Sequence, residues 1–310
     1  MSLVPKRSRL LSAVVKAFSK ISPLSLAEND WDNVGVLIEC HEKWNIRPLD
    51  VTAAQKSTIL LTIDLNHEII DEALHHQSSG THPVVIVAYH PTIFKPIKKL
   101  TLDSLEGGYS HINELVVRCI QSGLSGVQFG PYFIVNDWIC SLIGNGTFAP
   151  IIPNPSPQAT VQGDIVGSGR YLTLAEPSPL EEIADRLMKG FATTYGQLAR
   201  IAKSAKYSCQ QKPISKLAVC AGSGGSILLS PKLNSDTELL ITGEMSHHDV
   251  LAATAKGYNV MLFEHTHTER GYLSQMLKPK LESALSEEVD IQIFVSKYDR
   301  DPIQLYKIKN

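Results

Sequence analysis

Long apolar runs are missing from this chain. None reaches the roughly 18 residues that suggest a membrane span, so a membrane partner is not expected. A basic excess is missing as well: 29 Lys and Arg stand against 31 Asp and Glu, for a net charge of −2. That balance lacks the surplus or stripe of a nucleic-acid footprint, and a nucleic-acid partner is not expected. Cysteine is sparse and unpatterned. Cys40, Cys119, Cys140, Cys209 and Cys220 form no Cys-x-x-Cys pair, which favours free thiols in a reducing compartment and, with it, the cytoplasm. The one glycine-rich loop, Gly222-Ser223-Gly224-Gly225-Ser226, lacks both the lysine of a P-loop and the GxGxxG spacing. It is read either as a phosphate cradle or as a tight turn after a strand. No internal repeat is present at the level of residues.

What the chain does contain is a recurring strand-to-helix grammar. Its 310 residues suggest about two domains. The first 27 residues are basic and acid-free; Leu10, Leu11, Val14, Val15 and Phe18 recur at helical spacing, and the helix should end before Ser22-Pro23. A mitochondrial leader is the alternative reading of that segment. Ser57–Ile63 and Pro83–Ala88 are continuous apolar strands separated by a helical pattern, which is a βαβ unit in a covered parallel sheet. Handedness then places the strand ends Asp64 and His90 on one edge. Residues 40–56 read as a loop, 125–135 as irregular, and the proline-bearing stretch 145–160 as a linker. The expected domains are 1–145 and 146–310, with the C-terminal strand at 290–295 a candidate to join the first. Leu273–Leu285 reads as a helix.

Three clusters carry chemistry. Tyr89-His90-Pro91 ends a buried strand, where an imidazole can bind a metal, shuttle a proton or bond a core carbonyl. Glu244, His247, His248 and Asp249 crowd a strand-to-helix junction, as a metal site, an acid–base pair or a solvated helix start. The densest cluster follows the strand Tyr258–Phe263. There His265 and Glu269 are four apart and share a helix face, an arrangement that can hold a divalent metal. The competing reading is a capping box of Thr266 and Glu269. His267, by helical spacing, should face solvent.

In order along the chain, WDNVGV (31–36), AYHPTIF (88–94), VNDWI (135–139), VCAGSGGS (219–226), TGEMSHHD (242–249) and EHTHTERGYL (264–273) resemble the NIF-three-like family, whose members are also labelled GTP cyclohydrolase type 2 homologues. The resemblance implies two interlinked α/β domains with mostly parallel or mixed sheets, a cleft with a pair of divalent metals between them, and a ring-shaped homohexamer. It carries over His90, His265 and Glu269 as metal ligands and places Tyr89 at the position of a further bacterial ligand. The family's central Ser-Pro-His-Thr-x-x-Asp stretch is absent: residues 124–134 read LSGVQFGPYFI, and Asp137 matches a different position. Without the bridging carboxylate, one Zn, Mn or Fe ion per chain held weakly, or none held tightly, is expected rather than a robust pair.

Two functions follow from the resemblance. One is a metal-dependent hydrolase of a small nucleotide-like substrate, with Glu244 or His247 moving protons. The other is a non-catalytic scaffold that meets a transcriptional adaptor and carries a vestigial metal site; its location would be partly nuclear.

Overall fold

The computed structural model describes residues 7–27, 32–41, 56–78, 81–102, 111–129, 133–155, 160–161, 164–191, 198–288 and 290–303. Most of the expected loop 40–56, together with Trp31, Gly130 and Pro131, lies outside them. The fold is mixed α/β and divides into two compact units, Met1–Pro131 with Leu273–Arg300, and Tyr132–Tyr272 with Asp301–Asn310.

The first unit opens with α1 (Arg9–Ile21). Ser8 caps it by accepting the Leu11 N–H at 3.1 Å, and Ser22, before Pro23, ends it. Its apolar stripe is buried, and Phe18 stacks on Phe129 with ring centroids 5.3 Å apart. Then come β1 (Gly35–Ile38), β2 (Lys56–Thr62), α2 (His67–Ser78), β3 (Thr81–Ala88), α3 (His111–Ser122) and β4 (Ser125–Gln128). The continuous apolar runs of β2 and β3 reflect interior strands covered on both faces. Ile38, Leu60, Ile69, Ile70, Val84, Ile86, Leu115 and Val116 form one core beneath α2 and α3, each worth roughly 1.5–3 kcal/mol of burial. The expected irregular stretch at 125 instead supplies β4, between β1 and β3. Ser-Gly-Val-Gln is too short and too polar to show a strand period.

The second unit contains α4 (Phe133–Ile143), β5 (Gly146–Ala149), the short strands β6 (Ile152–Pro153), β7 (Thr160–Val161), β8 (Asp164–Ile165) and β9 (Gly167–Ser168), then β10 (Arg170–Ser178), α5 (Leu180–Phe191), β11 (Arg200–Ala202), α6 (Ala205–Gln210), β12 (Ile214–Ser223), α7 (Gly225–Leu228), β13 (Leu239–Glu244), α8 (His247–Ala255), β14 (Asn259–Leu262) and α9 (His267–Tyr272). Its main sheet runs β11-β14-β13-β12-β10-β5, with β12, β13 and β14 parallel. The start of the expected linker is therefore structured: 146–149 pairs antiparallel with β10 as an edge strand, where neighbouring prolines cost no ladder bond. Trp138 packs between Phe191 and Tyr272, at 5.7 and 6.1 Å. A Cβ on Gly271 would fall 2.9 Å from the Trp138 ring and 3.0 Å from the Phe191 carbonyl, so only glycine lets α9 lie this close.

The chain then returns to the first unit through a π-helical turn (Leu273–Leu277), α10 (Lys278–Ala284) and β15 (Ile291–Val295). The expected single helix starts as a π turn because Pro279 has no N–H to give to the carbonyl four residues back. β15 pairs parallel with β2 and completes the order β1-β4-β3-β2-β15, in which only β1 is antiparallel to its neighbour.

Candidate metal site

In the second unit the parallel strands β12, β13 and β14 end on one edge, the edge where open α/β sheets bind ligands. Beyond β14 the backbone turns sharply at Glu264, whose φ is +68°, and Arg200 holds its carboxylate at 3.0 Å. A non-glycine residue in this region is strained, and such strain gathers at functional positions. His265 follows. Its Nδ1 lies 2.8 Å from Glu244 Oε1 at the end of β13, and its Nε2 lies 3.6 Å from Oε1 of Glu269, a carboxylate only 4% exposed. Glu244 accepting the Nδ1 proton leaves the imidazole lone pair on Nε2, facing Glu269.

Gly222 makes room for this pair. It has φ +63°, and a Cβ there would stand 2.7 Å from Glu269 Oε1 and 3.0 Å from His265 Nε2. Thr268, fully buried, accepts the Gly222 N–H at 2.8 Å and donates to the His265 carbonyl at 2.7 Å. Gly222, the first glycine of the loop, thus stands directly against the His265–Glu269 pair. The capping box does not form: the Thr266 hydroxyl donates to Asp301 and accepts from Arg270, while Glu269 turns to His265. His267, expected at the surface, is 6% exposed, because α9 is short and covered on the side turned away from His265 as well. His247 is exposed in the first turn of α8 and packs edge-on against His248 at 5.6 Å.

The first unit repeats the arrangement. His90 follows β3, and its Nδ1 is 2.9 Å from Oδ1 of Asp64, which follows the neighbouring parallel strand β2. The expected shared edge is therefore a direct hydrogen bond. Register makes the likeness plain. Thr62 pairs with Ala88, and Asp64 and His90 each stand two residues further on. Thr242 pairs with Leu262, and Glu244 and His265 stand two and three further on. The Tyr89 ring is buried between His90 and Phe129, at 5.3 and 5.5 Å, and its carbonyl accepts from Gln128 at 2.9 Å.

The Val-Asn-Asp-Trp segment is committed to structure. Asn136 accepts the Ala221 N–H at 2.7 Å, tying α4 to the end of β12. Asp137 pairs with Arg170, whose 2%-exposed guanidinium also donates to the carbonyls of Gly167 and Gly169. Pattern alone noted Gly222 as part of a glycine-rich loop and Asp64 as a strand end beside His90, but not their contacts with the histidines, and Thr268 it did not single out. Only the positive φ demanded at Gly222 leaves a trace in sequence, as a glycine after a buried strand.

This is a mixed α/β protein whose strand-end histidines are held by carboxylates in groups able to take a metal. Its fold is similar to that of a hypothetical protein from Staphylococcus aureus (TM-score 0.68, 19% identity, 97% of this chain and 100% of that one) and of a Bacillus cereus protein related to NIF3 (TM-score 0.68, 17% identity, 95% and 98%). The chain belongs to the Duf34/NIF3 (NGG1p interacting factor 3) family, whose model matches residues 10–125 and 131–302. The break in that match falls at the shortened central stretch. Among curated relatives, a protein NIF3 homolog of Schizosaccharomyces pombe is 33% identical over 96% of this chain and 98% of its own length. NGG1-interacting factor 3 of Saccharomyces cerevisiae is 32% identical over 94% and 96%.

Proposed function

We propose that this chain is a divalent-metal protein in which His90 joins His265 and Glu269 as ligands, and that the bound ion serves hydrolysis of a small nucleotide-like substrate. The observation that carries the reading is the His265–Glu269 pair: a carboxylate almost out of water, an imidazole oriented by Glu244, and a glycine wall with no room for a methyl group. The donor set fits a metal, since an imidazole nitrogen and a glutamate oxygen are both usual ligands of a divalent ion such as zinc. The same construction at Asp64–His90 supports adding His90. A Zn, Mn or Fe ion held there would supply a Lewis acid that lowers the pKa of bound water. Glu244 then orients His265, and exposed His247 carries protons. Residues 124–136 contain no carboxylate, so the proposal is for one ion at this site, not two. Elemental analysis and metal-stimulated hydrolysis of a nucleotide panel test it. The ion bound at this site and the hydrolysis should both be lost in Glu269→Gln, and activity unaffected by that change rejects the site.

A second reading, a scaffold that meets a transcriptional adaptor, draws on the name of the Saccharomyces cerevisiae relative, NGG1-interacting factor 3. It also draws on apolar side chains left in the open on the first unit: Phe94, Leu100, Leu102 and Ile120 are each about half exposed or more, and such patches mark contact surfaces. Adaptor capture that survives combined substitution of His90, His265 and Glu269 favours it. Assembly as a ring-shaped hexamer belongs with either reading, and sedimentation velocity tests it. No helix among the described residues is long and apolar enough to cross a membrane.

A further inference from the structure

We propose a second divalent-metal site on the first unit, formed by His67, His111 and Glu114, with zinc as the fitting ion. His67 opens α2, and His111 and Glu114 lie three apart in the first turn of α3, on one helix face. One ligand atom from each lies within 4.8 Å of the other two. His67 Nε2 is 3.5 Å from Glu114 Oε2, and the two imidazoles meet edge to face at 5.2 Å. Ligand atoms around a tetrahedral zinc with bonds of about 2.0–2.1 Å stand about 3.3 Å apart. Closure from 4.8 Å therefore needs up to about 1.5 Å of movement, and the side chains of His67 and Glu114, 34% and 39% exposed, have room to make it. Two histidines and a glutamate form a zinc set that leaves a fourth position for water.

Arg118 sets the cost. Its NH1 donates to His67 Nδ1 at 3.1 Å, which places the imidazole proton on Nε2, towards Glu114. Coordination through Nε2 needs the other tautomer, with the proton on Nδ1 and that Arg118 bond given up. Arg118 keeps its contacts with Asp71 and the His67 carbonyl, so a single hydrogen bond is exchanged. The two helix N-termini and the Arg118 guanidinium disfavour a cation; Asp71, paired with Arg118, offsets the guanidinium, and the Glu114 carboxylate offsets the helix ends. The ion would clip together the first turns of α2 and α3, the helices over the first sheet's core.

Titration of the full chain with zinc chloride, and separately with cobalt chloride, tests the site. A variant with His90→Ala, His265→Ala and Glu269→Gln should still take up one zinc per chain and show the visible band of tetrahedral cobalt. Adding His111→Ala or Glu114→Gln should weaken that uptake at least tenfold and abolish the band. In the otherwise unaltered chain, the His111→Ala/Glu114→Gln pair should lower zinc stoichiometry by one while leaving metal lost through Glu269→Gln in place. That pair sits on the surface, so the comparison stands even where the triple variant folds poorly. Zinc uptake indifferent to His111→Ala and Glu114→Gln overturns this site and leaves the strand-end proposal untouched.

Discussion

Glu244 holds Nδ1 of His265 at 2.8 Å from the end of the adjacent parallel strand, as Asp64 holds Nδ1 of His90 at 2.9 Å in the other unit. A parallel sheet produces this relationship almost automatically. Neighbouring strands in register end together, so a residue just beyond one strand meets the residue just beyond the next. An acid on one and a histidine on the other then fix both ring orientation and tautomer.

Substituting Glu244 therefore tests orientation apart from ligation. Glu244→Ala should weaken metal binding by roughly 10–100-fold, the usual cost of losing a partner behind a ligating histidine. Glu244 is about half exposed, so its loss should leave stability nearly unchanged. Competition titration against a chromophoric chelator gives the affinity. A full-strength site in Glu244→Ala would show that the His265–Glu244 bond has no bearing on the metal.

Gly222→Ala combines two penalties, and Gly257→Ala isolates one of them. Both glycines have positive φ, +63° and +94°, but an added Cβ at Gly257 meets nothing within 4 Å, while at Gly222 it meets Glu269 and His265. Gly257→Ala should cost roughly 1–2 kcal/mol from backbone strain alone. Gly222→Ala should cost more and also abolish metal retention at the His265–Glu269 site. Urea denaturation with metal analysis separates the two, and equal behaviour of the two variants would contradict the cradle.

Asp137 is the nearest carboxylate in sequence to the shortened central stretch, and its commitment to Arg170 predicts that it is no ligand. Asp137→Asn should leave metal content unchanged. Arg170→Leu should destabilise the second unit by about 3 kcal/mol, the lower end for breaking a buried pair, because Asp137 keeps some contact with water. A loss of metal in Asp137→Asn with the fold intact would move Asp137 into the site.

Elements with a strong period were legible in the sequence. The stripe of α1 and the apolar runs of β2, β3 and β14 gave their types, and strand-end placement with a four-residue spacing put His90, His265 and Glu269 among the candidates. What stayed hidden depends on tertiary contact. β5 and β4 exist because β10 and β3 offer them edges, and neither segment shows a period of its own. His267 is buried by what surrounds a six-residue helix, which spacing on that helix cannot reveal. His67 sits 44 positions before His111, and only the packing of α2 against α3 joins them. The His-x-x-Glu spacing of 111 and 114 was the one local hint.

The buried thiols predict a loss of stability in alkali. Burial pushes Cys40 up from 9.0 to about 11, with the Glu39 charge adding to it, and pushes Cys119 up to about 12; Cys140 moves the same way for the same reason. The folded state thus keeps thiol protons that the unfolded chain gives up near pH 9. Where the native state binds more protons than the unfolded one, stability falls as pH rises. It should be flat with respect to these groups below about pH 8.5 and decline from about pH 9 towards about pH 12, the Cys40 share ending near pH 11. Urea midpoints measured across that interval check the sign, and a midpoint that climbs would refute it. The same burial keeps Cys40, Cys119 and Cys140 as unreactive thiols at neutral pH, because the thiolate is the nucleophile. Exposed Cys209 should react first with a thiol reagent, half-buried Cys40 more slowly, and buried Cys119, Cys140 and Cys220 only once urea opens the fold.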